Sequence, residues 1–148
     1  MYITSVIALS RKVGILKIKK RKENMLDKFH ASTVLAASDL ERARKFYTEK
    51  LGLKEVSGPQ GIVMLEAGEG TTIVVYQKEG GPKATNTVLG FEVKDLENLL
   101  QELKDKGVEQ DMDGLPEGTD ESGITHYGSV KSAWIKDSEG NIIGLNEM

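Results

Sequence analysis

The sequence predicts an α+β fold in which two β-α-β-β-β modules share one curved sheet. The first observation is a repeated helix start, because Asp39-Leu40-Glu41 recurs as Asp95-Leu96-Glu97, each time after a strand-like run. The second is that each predicted helix ends at a glycine, Gly52 or Gly107, followed by an apolar residue. The third is size, because neither half of a 148-residue chain has enough apolar residues for a core of its own.

The first module is expected over residues 26–79. Residues 30–37 have the pattern of a short strand, and Ser38 is expected to cap the following helix, with Glu41 at the capping-box spacing. The apolar residues of that helix recur on one stripe as far as about Lys50. Three further strands are expected between glycine-containing turns: residues 53–56, 61–66 and 71–77.

The second module is expected over residues 84–148 and repeats the same order. Residues 87–93 are strand-like, and Asp95 begins a helix to about Lys106 that carries its leucines on one face. The rest of the module is predicted as an extended piece from Val108, a polar loop over 111–123 and strands near 129–136 and 141–146.

Composition excludes several kinds of site. The chain has no cysteine, so it has no disulfide framework, no thiolate metal site and no cysteine nucleophile. It has two histidines, so a three-histidine zinc site cannot be built from one chain. No apolar run approaches the roughly 20 residues that cross a bilayer. We therefore expect a cytoplasmic protein that does not span a membrane.

Charge separates a basic leader, residues 1–24, from an acidic body over residues 25–148. The leader has seven basic residues against Glu23 alone, which leaves a net charge of −9 on the body. We interpret the leader as upstream read-through before a native start at Met25. The alternatives are a dispensable tail, a targeting peptide, or an arm that binds nucleic acid or an anionic membrane.

Several motifs of the body are similar to those of a known superfamily. They are Ala37-Ser38-Asp39-Leu40-Glu41-Arg42-Ala43, Phe46-Tyr47, Leu51-Gly52-Leu53, Phe91-Glu92-Val93-Lys94-Asp95-Leu96, and Asp137-Ser138-Glu139-Gly140-Asn141 before Ile142-Ile143-Gly144-Leu145. Together they resemble the vicinal oxygen chelate superfamily, which includes glyoxalase I, bleomycin-resistance proteins and extradiol dioxygenases. The resemblance implies a cup-shaped mixed and antiparallel sheet with helices outside, a ligand inside the cup, and a homodimer.

The resemblance also implies where a divalent metal would be held. Its four positions correspond here to Ser32, Val74, Val88 and Gly144, which are poor metal ligands. Because side chains alternate along a strand, a register error of two residues would instead bring His30, Asn86 and Asn146 to the same face. That set is also poor for a divalent cation, so we expect no metal and no other cofactor.

The cup is expected to bind a small molecule between apolar walls and a few polar groups. His126 is a candidate for the pocket rim or for acid–base chemistry, and ordinary loop polarity is the alternative. Trp134 is expected either to stack on a ligand or to pack in the core. The complete set of expected ligand-binding residues is His30, Ser32, Thr72, Val74, Tyr76, Asn86, Val88, His126, Trp134, Gly144 and Asn146.

The favoured function is the binding of a small organic molecule without the usual metal site. The acidic body favours neutral or cationic ligands. One alternative is a lyase, isomerase or dioxygenase-like enzyme with a displaced metal or with acid–base catalysis by His30 or His126, so enzymatic activity is left open. The other is a regulatory or nucleic-acid-associated protein that uses the leader, and we consider nucleic acid the less favoured partner.

Overall fold

A computed structural model describes residues 26–68 and 70–148, and the chain divides into two units between Ala31 and Ser32. The described part of the first unit is a short turn in which the Lys28 ammonium lies 5.5 Å from the centre of the Phe29 ring. His30 belongs to this unit. The interpretation of the leader falls on residues outside the described ones.

The first module has the predicted β-α-β-β-β order. Its helix α1 is short because the last five residues of the helical segment, Phe46–Lys50, adopt π-helical hydrogen bonding. The strands and helices are β1 (Thr33–Ala37), α1 (Leu40–Lys45), β2 (Lys54–Val56), β3 (Ile62–Ala67) and β4 (Thr71–Gln77).

The cap of α1 differs from the expectation by one residue. Asp39, not Ser38, is the N-cap, and its carboxylate accepts a hydrogen bond of 2.9 Å from the amide of Arg42. The Ser38 hydroxyl donates instead to Glu139, far along the chain. A long-range contact therefore overrides the local capping-box pattern.

The second module also has the predicted order. The extended piece at Val108 forms no strand; Gln110 makes an isolated bridge to Ile135, and the short strand β6 follows the loop instead. The elements are β5 (Thr87–Glu92), α2 (Leu96–Asp105), β6 (Thr125–Tyr127), β7 (Val130–Lys136) and β8 (Ile142–Glu147).

The strands form two four-stranded mixed sheets, in the orders β1-β4-β3-β2 and β5-β8-β7-β6. Each sheet has one parallel pair, β1–β4 or β5–β8, and its other pairs are antiparallel. The two sheets share no ladder, although β1 and β5 approach each other in space. The predicted α+β fold of two β-α-β-β-β modules with mixed sheets is confirmed, and its strands form two sheets that are not closed into a barrel.

One core unites the two modules. Alternate residues of β1, β3 and β4 are buried, as in Leu35 and Ala37 of β1, and the same cluster includes Leu96 and Leu103 of α2. Burial of one sheet face against a helix explains the alternation that the sequence shows. No helix among the described residues is long and apolar enough to cross a membrane.

A buried polar network around Asp137 joins the β7–β8 turn to the first module. The Asp137 carboxylate accepts hydrogen bonds from the Tyr47 hydroxyl at 2.6 Å and from the Asn141 side-chain amide at 2.7 Å. The same amide donates to the carbonyl of Ala36 at 3.0 Å. Burial, together with the charge of Asp137, raises the pKa of Tyr47, so that its hydroxyl remains a donor.

Candidate functional site

Each sheet has one face covered by its helix and one face that its helix leaves uncovered, which we call the helix-free face. In the first sheet the register pairs Val34 with Val74, and Thr72 and Tyr76 lie on the same face by alternation. The Val34 side chain is 60% exposed. The structure therefore places Thr72, Val74 and Tyr76 on one face of the sheet, on a mostly apolar surface.

In the second sheet a β-bulge changes the face of the sheet on which one predicted site residue lies. The β5–β8 register pairs Thr87 with Ile142 and then Leu89 with Ile143, so Val88 is an extra residue in the ladder. Val88 packs against the core, and Thr87 takes the place on the helix-free face that the sequence assigned to Val88. A bulge of this kind leaves no distinctive pattern in the sequence.

Trp134 is the centre of the second helix-free face. It pairs with Gly144 across the β7–β8 ladder, and its indole Nε1 donates to the Thr87 hydroxyl at 3.1 Å. The Asn146 side chain lies next on the same face and accepts a 2.8 Å hydrogen bond from Ser132. A Cβ on Gly144 would lie 3.3 Å from the Thr87 methyl and 3.7 Å from Nε1 of Trp134. Glycine at 144 therefore leaves the room that this pair occupies.

A cavity of about 300 Å³ opens at this place, between the end of the second helix-free face and the loop before β6. It brings together Trp134 and Asn86, two of the predicted residues, with the newly placed Thr87. A volume of this size suits a small organic molecule. The remaining lining residues are Thr85, Asp111, Asp113, Gly114, Leu115, Pro116 and Ile142.

Two carboxylates and one ammonium set the charge of the cavity. Lys136 Nζ lies 3.2 Å from the buried Asp111 and 3.3 Å from Asp113. Hydrogen bonding to Asp111 and then to Asp113 raises the pKa of Lys136, which keeps the ammonium charged at neutral pH. One negative charge is left over, and the Asp113 side chain that shares it is 91% exposed. The sequence analysis assigned both aspartates only to a polar loop.

His126 does not join this cavity. It pairs with Lys131 across the β6–β7 ladder, on the face opposite to Thr125 and Ser132. Its Nε2 lies 2.9 Å from the Asp120 carboxylate, and hydrogen bonds from Ser122 and His126 lower the pKa of Asp120. Strand alternation therefore separates His126 from Trp134.

At the positions that the resemblance implies for a metal, with Thr87 now in the place of Val88, the side chains offer few ligand atoms to a divalent cation. Val74 and Gly144 have no side-chain oxygen or nitrogen, and Thr87 has only a hydroxyl, which already accepts from Trp134. Ser32 offers one neutral hydroxyl at the start of the second unit. Within residues 26–68 and 70–148, no group of three or more histidine, aspartate or glutamate side chains could hold a metal ion.

Replacing Gly144 by alanine is expected to disturb the Trp134 site without disrupting the fold. The new methyl must displace the Thr87 side chain by a few tenths of an ångström, with a loss of about 1 kcal/mol in the free energy of unfolding. The emission of Trp134, the single tryptophan of the chain, reports the change directly. Gly90→Ala is the matched control, because its Cβ meets only Asn146 at 3.7 Å and its emission should match the wild type. Equal spectra for both variants would contradict this geometry.

A comparison with known protein families identifies the superfamily of this chain. The family model for the glyoxalase/bleomycin resistance protein/dioxygenase superfamily matches residues 30–145. The chain belongs to this superfamily, which confirms the resemblance seen in its motifs. A search of curated protein sequences finds no significant match.

Solved structures share the fold. An integron cassette protein from the mobile metagenome of V. Cholerae is 28% identical, with a TM-score of 0.54 over 83% of this chain and 98% of that one. TnmS3, an antibiotic-binding protein from Streptomyces sp. CB03234, is 22% identical, with a TM-score of 0.61 over 84% and 98%. The fosfomycin resistance protein FosX from Mesorhizobium loti is 13% identical, with a TM-score of 0.59 over 83% and 94%.

Proposed function

We propose that this protein binds a neutral or cationic planar organic molecule in the cavity beside Trp134, and that it does so without a metal at the family's usual position. The observation that carries the proposal is the Trp134 indole in the cavity wall. Its nitrogen is already bonded to Thr87, so the ring requires no further polar partner from the ligand. An aromatic surface of this kind stacks on planar ligands, and a cation gains further attraction from the ring face.

The charge of the cavity supports a neutral or cationic ligand. A cation near Asp113 would share the carboxylate with Lys136, whereas an anion would meet the excess negative charge of the loop. The body as a whole carries an acidic excess, which attracts cations at long range. Both effects favour a neutral or cationic ligand over an anionic one.

Relatives with the same fold are consistent with this role. TnmS3 is an antibiotic-binding protein and FosX is a fosfomycin resistance protein. At their low identities the similarity is one of fold, so the ligand must be argued from Trp134 and its neighbours.

We also propose that the protein is cytoplasmic and that it forms a homodimer. The exposed Val34 and Tyr76 offer apolar surface to a partner copy.

A titration with three similar bicyclic probes tests the function. The full chain is treated with EDTA, and quinoline, N-methylquinolinium and quinoline-2-carboxylate are then added while Trp134 emission and thermal stability are recorded. We expect saturable quenching by the neutral and cationic probes and at least about tenfold weaker binding of the carboxylate. Tightest binding of the carboxylate, or binding only after Zn²⁺ or Mn²⁺ is restored, would contradict the proposal.

Matched variants connect the binding to the cavity. Asp113→Asn removes the exposed carboxylate and should reduce the preference for the cationic over the anionic probe. Asp120→Asn, in the same loop but hydrogen-bonded to His126 on the other face, should leave the preference unchanged.

A further inference from the structure

A second cavity lies on the opposite side of the second sheet, beneath α2. Its volume is about 180 Å³. The floor consists of side chains that are almost fully buried, namely Leu103, Ile135 and Leu145. The rim consists of half-buried apolar side chains that leave an opening to solvent: Leu51, Leu53, Phe91, Val93 and Leu99.

The side chains of this crevice offer no charge to a ligand. Glu92 also contributes to the lining, but it pairs with Asn146 in the parallel ladder, and Asn146 lies on the helix-free face. Side chains of paired residues lie on the same face of a sheet, so the Glu92 carboxylate is directed away from the crevice. Two lining amides are already engaged, since Val93 donates to Asn146 and Leu53 donates to Tyr47.

We propose that this crevice is a second binding site, for an uncharged apolar group the size of one benzene ring. An apolar cavity of about 150 Å³ lined by leucine, isoleucine and phenylalanine stays dry and binds benzene. The crevice has the same kind of lining and slightly more room. A charged ligand would lose its hydration there without gaining a partner, and is therefore excluded.

This site differs from the Trp134 cavity in its position and in its chemistry. Trp134 lies on the helix-free face of β7, whereas Ile135, the next residue, contributes to the floor of the crevice. A ligand in the crevice therefore contacts methyl groups of α2 and leaves the indole unchanged. The two proposals are therefore independent: an absence of binding in one cavity does not imply an absence of binding in the other.

Methyl NMR of the full chain tests the crevice with toluene, benzylammonium and benzoate as probes. We expect toluene to cause saturable shifts of the Leu99, Leu103 and Leu145 methyl signals, and neither charged probe to shift them. No saturable shift with toluene, or equal shifts with benzoate, would overturn the proposal. Toluene shifts confined to methyl groups on the helix-free faces would also overturn the proposal.

Two variants locate the binding. Leu99→Phe fills the crevice and should abolish the toluene shifts of Leu103 and Leu145. Leu100→Phe is the matched control, because Leu100 is also half-buried on α2 but lines other cavities, and it should retain them. Leu53→Phe fills the crevice from another element and provides the same test if the helix variant does not fold. Retention of toluene binding in the filled variants would overturn the assignment.

Discussion

Asp137→Ala is expected to lower the free energy of unfolding by about 3–5 kcal/mol. The carboxylate accepts four hydrogen bonds, from the Tyr47 hydroxyl, the Asn141 side chain and the backbone amides of Glu139 and Asn141. Alanine would leave buried donors without an acceptor, and each such donor costs about 1–3 kcal/mol. The network also joins the two modules, so its loss weakens the shared core.

Urea unfolding of three variants measures this effect. Tyr47→Phe removes a single bond of the network and should cost about 1–2 kcal/mol, clearly less than Asp137→Ala. Asp113→Ala is the control, because its side chain is 91% exposed, and it should change stability by less than about 0.5 kcal/mol. Similar losses for Asp137→Ala and Asp113→Ala would show that the buried network does not hold the modules together.

Acidification is expected to destabilise the fold through Glu139. Burial opposes ionisation of this side chain, but hydrogen bonds from Arg42, the Asp39 amide and the hydroxyls of Ser138 and Ser38 outweigh it and lower the pKa of Glu139 to about 2. The ordinary value is 4.5, so the unfolded chain binds the proton first as the pH falls. The contribution is complete above about pH 4.5 and is lost as the pH falls through about 2.

The size of this pKa depression sets an upper limit of about 3 kcal/mol, and solvent around the half-exposed Arg42 reduces the expected contribution to about 1–2 kcal/mol. Glu139→Gln should flatten the loss of stability between about pH 4.5 and 2, and should cost about 1–2 kcal/mol at neutral pH because the Arg42 partner is half-exposed. Ser38→Ala removes one of the donors and should give an intermediate slope. An acid slope that is the same in the wild type and in Glu139→Gln would refute this role.

Local sequence patterns predicted the order of the helices and strands because each half of the repeat contains residues that mark where its helix begins and ends. The helix start at Asp39 and the glycines at 52 and 107 act within a few residues, where propensity dominates, whereas Asp95 makes no side-chain capping hydrogen bond and Glu147 accepts from the Leu96 amide instead. Gly52 and Gly107 both adopt positive φ, which favours glycine over other residues.

Long-range contacts determined what local patterns missed. Ser38 fits a capping box, but Glu139 lies within reach only after the modules dock. Val88 fits the alternation of β5, but the bulge depends on pairing with β8. In the sequence, the loop with Asp111 and Asp113 has the pattern of an ordinary polar loop. Only the folded structure brings Lys136 between the two carboxylates. The Trp134 cavity was therefore predictable in residue type and only partly in position.

A crystal structure of the protein with the tightest-binding quinoline probe tests the central claim most directly. We predict the bicyclic ring stacked on Trp134, between Thr87 and Leu115, with no metal ion coordinated at the helix-free faces. A metal ion held there by protein side chains, or a probe bound elsewhere with Trp134 in contact with solvent alone, would contradict the account.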